Sequence, residues 1–204
     1  MSRETASSLG IIALLGGILF PTLLLLVSGF LTSGSGSVLQ GFVGQAVFMT
    51  FVCFLVGVFG LYLAQQEALG TLGTGAAAIF AAGLALTVFD ALLTLFGMSV
   101  PFESQLSEAS FALLALGAIT FGIATARADV LAHARLGGAM LAVALPMTFV
   151  GSVVLDVLGI ESAVLAAFFI AAPFGAAWVV LGFDLATMDS SPGVESETVG
   201  STHG

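Results

Sequence analysis

The chain has 204 residues, of which 59% are hydrophobic and only 7% are charged, and its mean hydropathy is +1.20. Soluble domains are about 25% charged, so this composition excludes a water-soluble fold and indicates a protein that lies in a lipid bilayer. The net charge is −9 and lysine is absent, which excludes nucleic acid as a partner because phosphate binding requires clustered Lys and Arg.

Long apolar stretches separated by short polar breaks occupy nearly the whole chain. Each membrane crossing needs about 20 apolar residues, so six crossings with short loops fit between residues 8 and 187. We predict an all-α fold, a bundle of six transmembrane helices. The predicted helices are at about 8–31, 42–65, 72–97, 108–126, 136–158 and 162–185.

The breaks between these stretches carry local signals. The first stretch is too long for the apolar region of a signal peptide, about 7 to 15 residues, so we predict that it is retained. A Gly/Ser run at 33–37 predicts a flexible loop. Pro101 ends the third stretch, and Glu108 opens the fourth, where a carboxylate suits the positive end of the helix dipole. The tail, 188–204, has the composition of a disordered acidic segment.

The arginines predict the orientation, because positive residues are retained on the cytoplasmic side. With six crossings, a cytoplasmic segment at 1–7 and a cytoplasmic tail, all three cations lie inside: Arg3, Arg127 and Arg135. The opposite face then carries only acidic residues: Glu103, Glu108, Asp156 and Glu161. We therefore predict a multi-pass protein of the cytoplasmic (cell) membrane. Its acidic, lysine-free composition is typical of a halophile or of a GC-rich genome.

Asp90 is the residue most suited to carry chemistry. An Asp at the centre of a membrane helix costs about 2.5 to 3.5 kcal/mol, and such residues usually face the bundle interior and mark a function. Gly83, Thr87 and Thr94 share its helical stripe, so the Thr hydroxyls are expected near the carboxyl group. Two interpretations stay open: a proton- or cation-binding site reached from outside, or a carboxyl group that joins two helices by hydrogen bonds.

The rest of the sequence provides few partners for such a site. Gln45 is the most plausible polar neighbour of Asp90. His133, in the arginine loop, is expected to be solvated, and Asp184 and Glu67 are expected at the interfacial ends of helices. We predict no cofactor, no bound metal and no catalytic residue, since no nucleotide, hydrolase or zinc motif is found.

Small residues predict close helix packing, either within the chain or against another subunit. The candidates are Gly10, Gly16, Gly17, Gly137, Gly138, Gly175 and Gly182. Short loops and scarce ionisable groups favour a non-enzymatic subunit or assembly partner of a membrane complex, which contacts the bilayer and another membrane protein or a second copy of itself. The alternative is a small proton- or cation-coupled transporter or channel that uses Asp90.

Overall fold

The computed structural model describes residues 3–33, 37–98, 100–159 and 163–188, so Glu161 and the predicted tail beyond residue 188 lie outside it. Five α-helices fill these ranges, and no strand occurs among the described residues. The helices are α1 (Arg3–Ser33), α2 (Ser37–Leu95), α3 (Glu103–Ala128), α4 (Ala134–Val157) and α5 (Ala163–Thr187). Residues 3–7, predicted as a segment before the first helix, are already part of α1.

The predicted all-α class is confirmed. In the described part of the chain, α1 to α4 are long and apolar enough to cross a bilayer, and α5 is apolar over 25 residues. The fold therefore has four to five helices that suit a membrane-spanning role.

α2 is interrupted at Gly70. A straight helix of its 59 residues would be about 88 Å long, nearly three times the roughly 30 Å hydrocarbon core. Gly70 has φ 60° and ψ −168°, a region of backbone conformation that is essentially restricted to glycine. This residue falls within the connection that the sequence predicts between 65 and 72. We call residues 37–69 the first arm of α2 and residues 71–95 its second arm.

The two arms lie side by side. Phe54 of the first arm and Phe80 of the second both stack on Trp178 of α5, with ring centroids 5.0 Å and 6.1 Å from the Trp178 ring. A straight helix would separate Phe54 from Phe80 by about 39 Å. Side chains of both arms, from Leu55 to Tyr62 in the first and from Thr74 to Ala81 in the second, also contribute to the lining of an apolar cavity of about 530 Å³. The chain therefore doubles back at Gly70 to form a helical hairpin.

The helices contact one another in a closed cycle. α1 packs against the first arm of α2, the second arm packs against α3, α3 against α4, and α4 against α5, which returns to α1. The centre is filled by aromatic side chains: Phe20, Phe51, Phe54, Phe80, Phe121, Phe174 and Trp178. Trp178, Phe54, Phe80 and Phe121 are the largest fully buried side chains among those that the structure describes.

Glycines permit the closest helix contacts. A Cβ at Gly10 would overlap the backbone of Ala186, and one at Gly17 would lie 2.8 Å from the carbonyl oxygen of Gly175, so α1 and α5 are antiparallel and in backbone contact. Between α3 and α4, a Cβ at Gly122 would lie 2.6 Å from the carbonyl oxygen of Gly138. At these positions, the small residues predicted to mediate helix packing contact other helices of the same chain.

The bundle has two chemically different ends. The start of α1 lies beside the end of α5, and the end of α5 contacts the start of α4, so all three arginines belong to one end, which we call the arginine end. The opposite end contains the α2–α3 connection and the end of α4, and the exposed charged residues that the structure describes there are Glu103, Glu108 and Asp156. We call it the acidic end.

Candidate functional site

Asp90 lies on the second arm of α2, near the acidic end. It is five residues from the last residue of the helix, Leu95, so it is only about 7.5 Å from that end. Its side chain is half-buried. The contacts of Gly83 with Leu114 and of Gly117 with Phe80 give an antiparallel register between α2 and α3. That register places Asp90 level with the first turns of α3 rather than at the centre of the bundle.

The two threonines of the Asp90 stripe do not bind its carboxyl group. Thr87 Oγ1 donates to the carbonyl oxygen of Gly83 at 2.9 Å, and Thr94 Oγ1 donates to the carbonyl oxygen of Asp90 itself at 3.1 Å. Threonine in a helix often satisfies its hydroxyl through the carbonyl one turn earlier. In the described part of the chain, no side chain or backbone group hydrogen-bonds the Asp90 carboxyl group.

Gln45 does not complete the site either. The hairpin of α2 brings its first turns to the level of Asp90, but the Gln45 side chain is exposed and makes no hydrogen bond to a described residue. The predicted site residues therefore lie near the open end of the α2 hairpin, but their side chains do not meet at a common point. These residues are Asp90, Thr87, Thr94 and Gln45. The described residues also contain no group of three His, Cys, Asp or Glu side chains able to hold a metal ion.

A different polar contact, at the arginine end, is the best formed in the described chain. Asp184 lies in the last turn of α5, at a helix end as expected, but its side chain is buried within the protein and only 1% exposed. Its Oδ2 accepts a hydrogen bond from the backbone N–H of His133 at 2.6 Å, and its Oδ1 lies 2.8 Å from His133 Nδ1. The His133 side chain is 57% exposed, in agreement with the expected solvated loop residue, although its ring also contacts Asp184.

The chemistry of this pair follows from its geometry. An ionised carboxylate only accepts hydrogen bonds, so whenever Asp184 is ionised, Nδ1 of His133 carries the proton in this contact. His133 is also the N-cap of α4, so the carboxylate sits at the positive end of that helix dipole. The Asp184 carboxyl group thus contacts both the backbone N–H and the ring of His133, and these contacts tie the end of α5 to the start of α4.

Sequence analysis missed this contact because the partners are 51 residues apart. The available signal was an Asp near the end of one apolar helix and a His immediately before another. Arg135, two residues further on, forms a separate and exposed ion pair with Asp129 at 2.6 Å. The loop between α3 and α4 is therefore tied to α5 by the contact of His133 with Asp184 and to α4 by the ion pair of Asp129 with Arg135.

Three buried side-chain atoms lack a hydrogen-bond partner among the described residues: Gln65 Oε1, Thr125 Oγ1 and Trp178 Nε1. Gln65 keeps one bond, from Nε2 to the carbonyl oxygen of Leu61 at 3.3 Å. Buried water is the usual partner of such groups. Because all three are uncharged, they add polarity to the interior but no charge that could bind an ion strongly.

Comparison of the chain with protein-family models, with curated proteins and with solved structures gave no match.

Proposed function

We propose that the protein is a non-enzymatic subunit or assembly partner of a membrane complex. In this proposal it crosses the cell membrane six times, with both termini on the cytoplasmic side. The hairpin in α2 supports the count, since each arm exceeds the roughly 20 residues that one crossing requires. The location of all three arginines at one end supports the orientation.

The aromatic centre is the observation that carries the proposal. Transporters place their substrate sites near the bilayer midplane, between discontinuous helices that present polar groups. Here the middle of the bundle is occupied by Trp178, stacked on Phe54 and Phe80 and flanked by Phe174. The cavity beside these rings, between the arms of α2, is apolar rather than a polar substrate site. The outer surfaces and the two ends of the bundle therefore remain for interaction, which suits a protein that binds a partner.

Purification from native membranes in mild detergent, followed by mass spectrometry, tests this function. We expect a second membrane protein in fixed stoichiometry that remains bound through size-exclusion chromatography. A protein that purifies only by itself, as a single monomeric species, would contradict the proposal.

Asp90 supports a second function, that of a small proton- or cation-coupled transporter or channel. Its half-buried carboxyl group has no hydrogen-bond partner among the described residues, so it is free to bind a proton or cation that arrives from the acidic end. The discriminating measurement is ion flux into lipid vesicles that contain the wild type or Asp90→Asn, with Asp156→Asn as the exposed control.

The two functions predict different results for Asp90→Asn. A transporter would lose flux with the Asp90 variant and keep it with the Asp156 control. A subunit would show no flux above empty vesicles, and Asp90→Asn would retain normal abundance because Asn preserves the size and hydrogen-bonding capacity of the side chain.

A further inference from the structure

Large apolar side chains are exposed at the acidic end. Phe96, Met98 and Phe102 belong to the connection between α2 and α3, and Val157 and Leu158 lie at the end of α4. Phe96 is 72% exposed and Val157 is 79% exposed; among the described large apolar side chains only Leu72, beside the turn at Gly70, is more exposed. We call these five residues the acidic-end apolar cluster.

Helix length and the neighbouring carboxylates argue against lipid chains as the cover of this cluster. α3 and α4 are about 39 Å and 36 Å long, which exceeds the roughly 30 Å hydrocarbon core, so helix ends extend towards water. Exposed carboxylates occur directly beside the cluster, with Glu103 following Phe102 and Asp156 preceding Val157. A carboxylate is expensive in hydrocarbon, so these neighbours place the cluster at the level of headgroups and water.

The cluster also differs from an ordinary membrane-interface belt. Such belts are rich in Trp and Tyr, whose polar atoms suit the headgroup region. The five side chains here contain no oxygen or nitrogen. The contact of Gly122 with Gly138 gives an antiparallel register between α3 and α4 that places Val157 level with the first turn of α3. Exposed apolar surface rimmed by polar residues is characteristic of protein or membrane interaction sites.

Charge indicates the nature of the partner. The exposed charged residues described at this end are the carboxylates of Glu103, Glu108 and Asp156, and the three arginines of the chain all lie at the other end. A complementary surface therefore carries Lys or Arg around an apolar centre. The same charges repel anionic lipid headgroups and acidic proteins.

We propose that the acidic-end apolar cluster is the docking surface for an extramembrane segment of a partner protein, in which basic residues surround apolar side chains. This inference rests on the proposed function as a subunit and names the surface through which the subunit binds. The apolar side chains provide the buried centre of the interface, and the carboxylates provide a rim that orients the partner.

Cysteine labelling tests the docking surface. Met98→Cys in a Cys53→Ala background is reacted with a hydrophilic maleimide, both in disrupted native membranes and after purification into lipid nanodiscs. We expect labelling to be roughly tenfold slower in native membranes, as for a surface occupied about nine-tenths of the time. Ala132→Cys, exposed at the arginine end, is the matched control and should be labelled at the same rate in both preparations.

Charge reversal completes the test. Adding Glu103→Lys and Asp156→Lys to Met98→Cys should raise its labelling rate in native membranes to that in nanodiscs.

Slow labelling of Met98→Cys in both preparations would show that lipid covers the cluster, and rapid labelling in both would show that nothing does. Either result overturns the docking surface. A stoichiometric partner in native purification, together with rapid labelling, would overturn this surface and leave the subunit function intact. The absence of any partner would overturn both.

Discussion

Asp184 and Asp90 show how the same residue type acquires different roles from its surroundings. Asp184 is buried, yet it accepts two hydrogen bonds from His133 and lies at the N-terminus of α4. Asp90 is less buried, but the threonines beside it direct their hydroxyls to backbone carbonyls. The first carboxylate is therefore bound into the fold, whereas the second remains available to a proton, a cation or a partner.

Asp184→Ala is expected to destabilise the protein. The substitution leaves the backbone N–H of His133 and its ring without their acceptor. Because these contacts are part-buried, we expect a cost of about 1 kcal/mol, the lower end of the range for a buried donor. Thermal unfolding in detergent should show a lower midpoint for Asp184→Ala, with an unchanged midpoint for the exposed control Asp156→Ala. His133→Ala should have a smaller effect, since it retains the backbone donor. Equal midpoints for Asp184→Ala and its control would show that the pair contributes nothing.

At the scale of the element, glycine serves two separate purposes. At Gly10, Gly17 and Gly122 it removes a Cβ where two helix backbones meet, which is how membrane helices gain packing energy without a hydrophobic driving force. At Gly70 nothing lies within contact distance of an added Cβ, and the backbone conformation alone requires glycine.

Gly10→Ala and Gly75→Ala test the close approach of α1 and α5. The methyl group at Gly10 would overlap the backbone of Ala186, which cannot move aside as a side chain can, whereas Gly75 faces open space. Overpacking typically costs about 1 to 3 kcal/mol, so Gly10→Ala should lower the unfolding midpoint. Gly75→Ala should leave it unchanged or raise it, because Ala favours the helix. A neutral Gly10→Ala would contradict the backbone contact.

Gly70→Ala tests the hairpin in α2. A non-glycine residue at φ 60° and ψ −168° is strained by about 1 to 3 kcal/mol, although no neighbouring atom obstructs the methyl group. We therefore expect Gly70→Ala to unfold at a lower temperature than Gly75→Ala, which adds the same methyl group without this strain. If the two variants unfold together, α2 does not turn at Gly70.

At the scale of the whole molecule, the number of membrane crossings depends on whether α2 crosses the bilayer once or, as a hairpin, twice. With α2 crossing twice, Gly70 and the α3–α4 loop lie on one face, together with the start of α1 and the end of α5. With α2 crossing once, Gly70 would lie within the membrane and the arginines would be divided between the two sides. The observed location of all three arginines at one end favours the first arrangement.

Single cysteines in a Cys53→Ala background test this topology. Gln66→Cys and Ala132→Cys should be labelled only from the cytoplasmic side, and Ser104→Cys only from outside, since all three positions are exposed. An impermeant maleimide applied to intact cells and to inverted vesicles measures the sidedness. Failure to label Gln66→Cys from either side would indicate a single crossing of α2. The opposite sidedness at Ala132 and Ser104 would reverse the orientation.

The sequence by itself determined the all-α class, the apolar stretches long enough to cross a membrane, and the break near Gly70. These are local properties, since hydropathy and helix length are read along the chain without knowledge of its neighbours. Only the tertiary structure decided that Asp184 binds His133, that Gly10 and Gly17 are used within the chain, and that aromatic rings close the centre. These depend on the rotation of each helix about its axis and on which helices are adjacent, and a uniformly apolar sequence specifies neither.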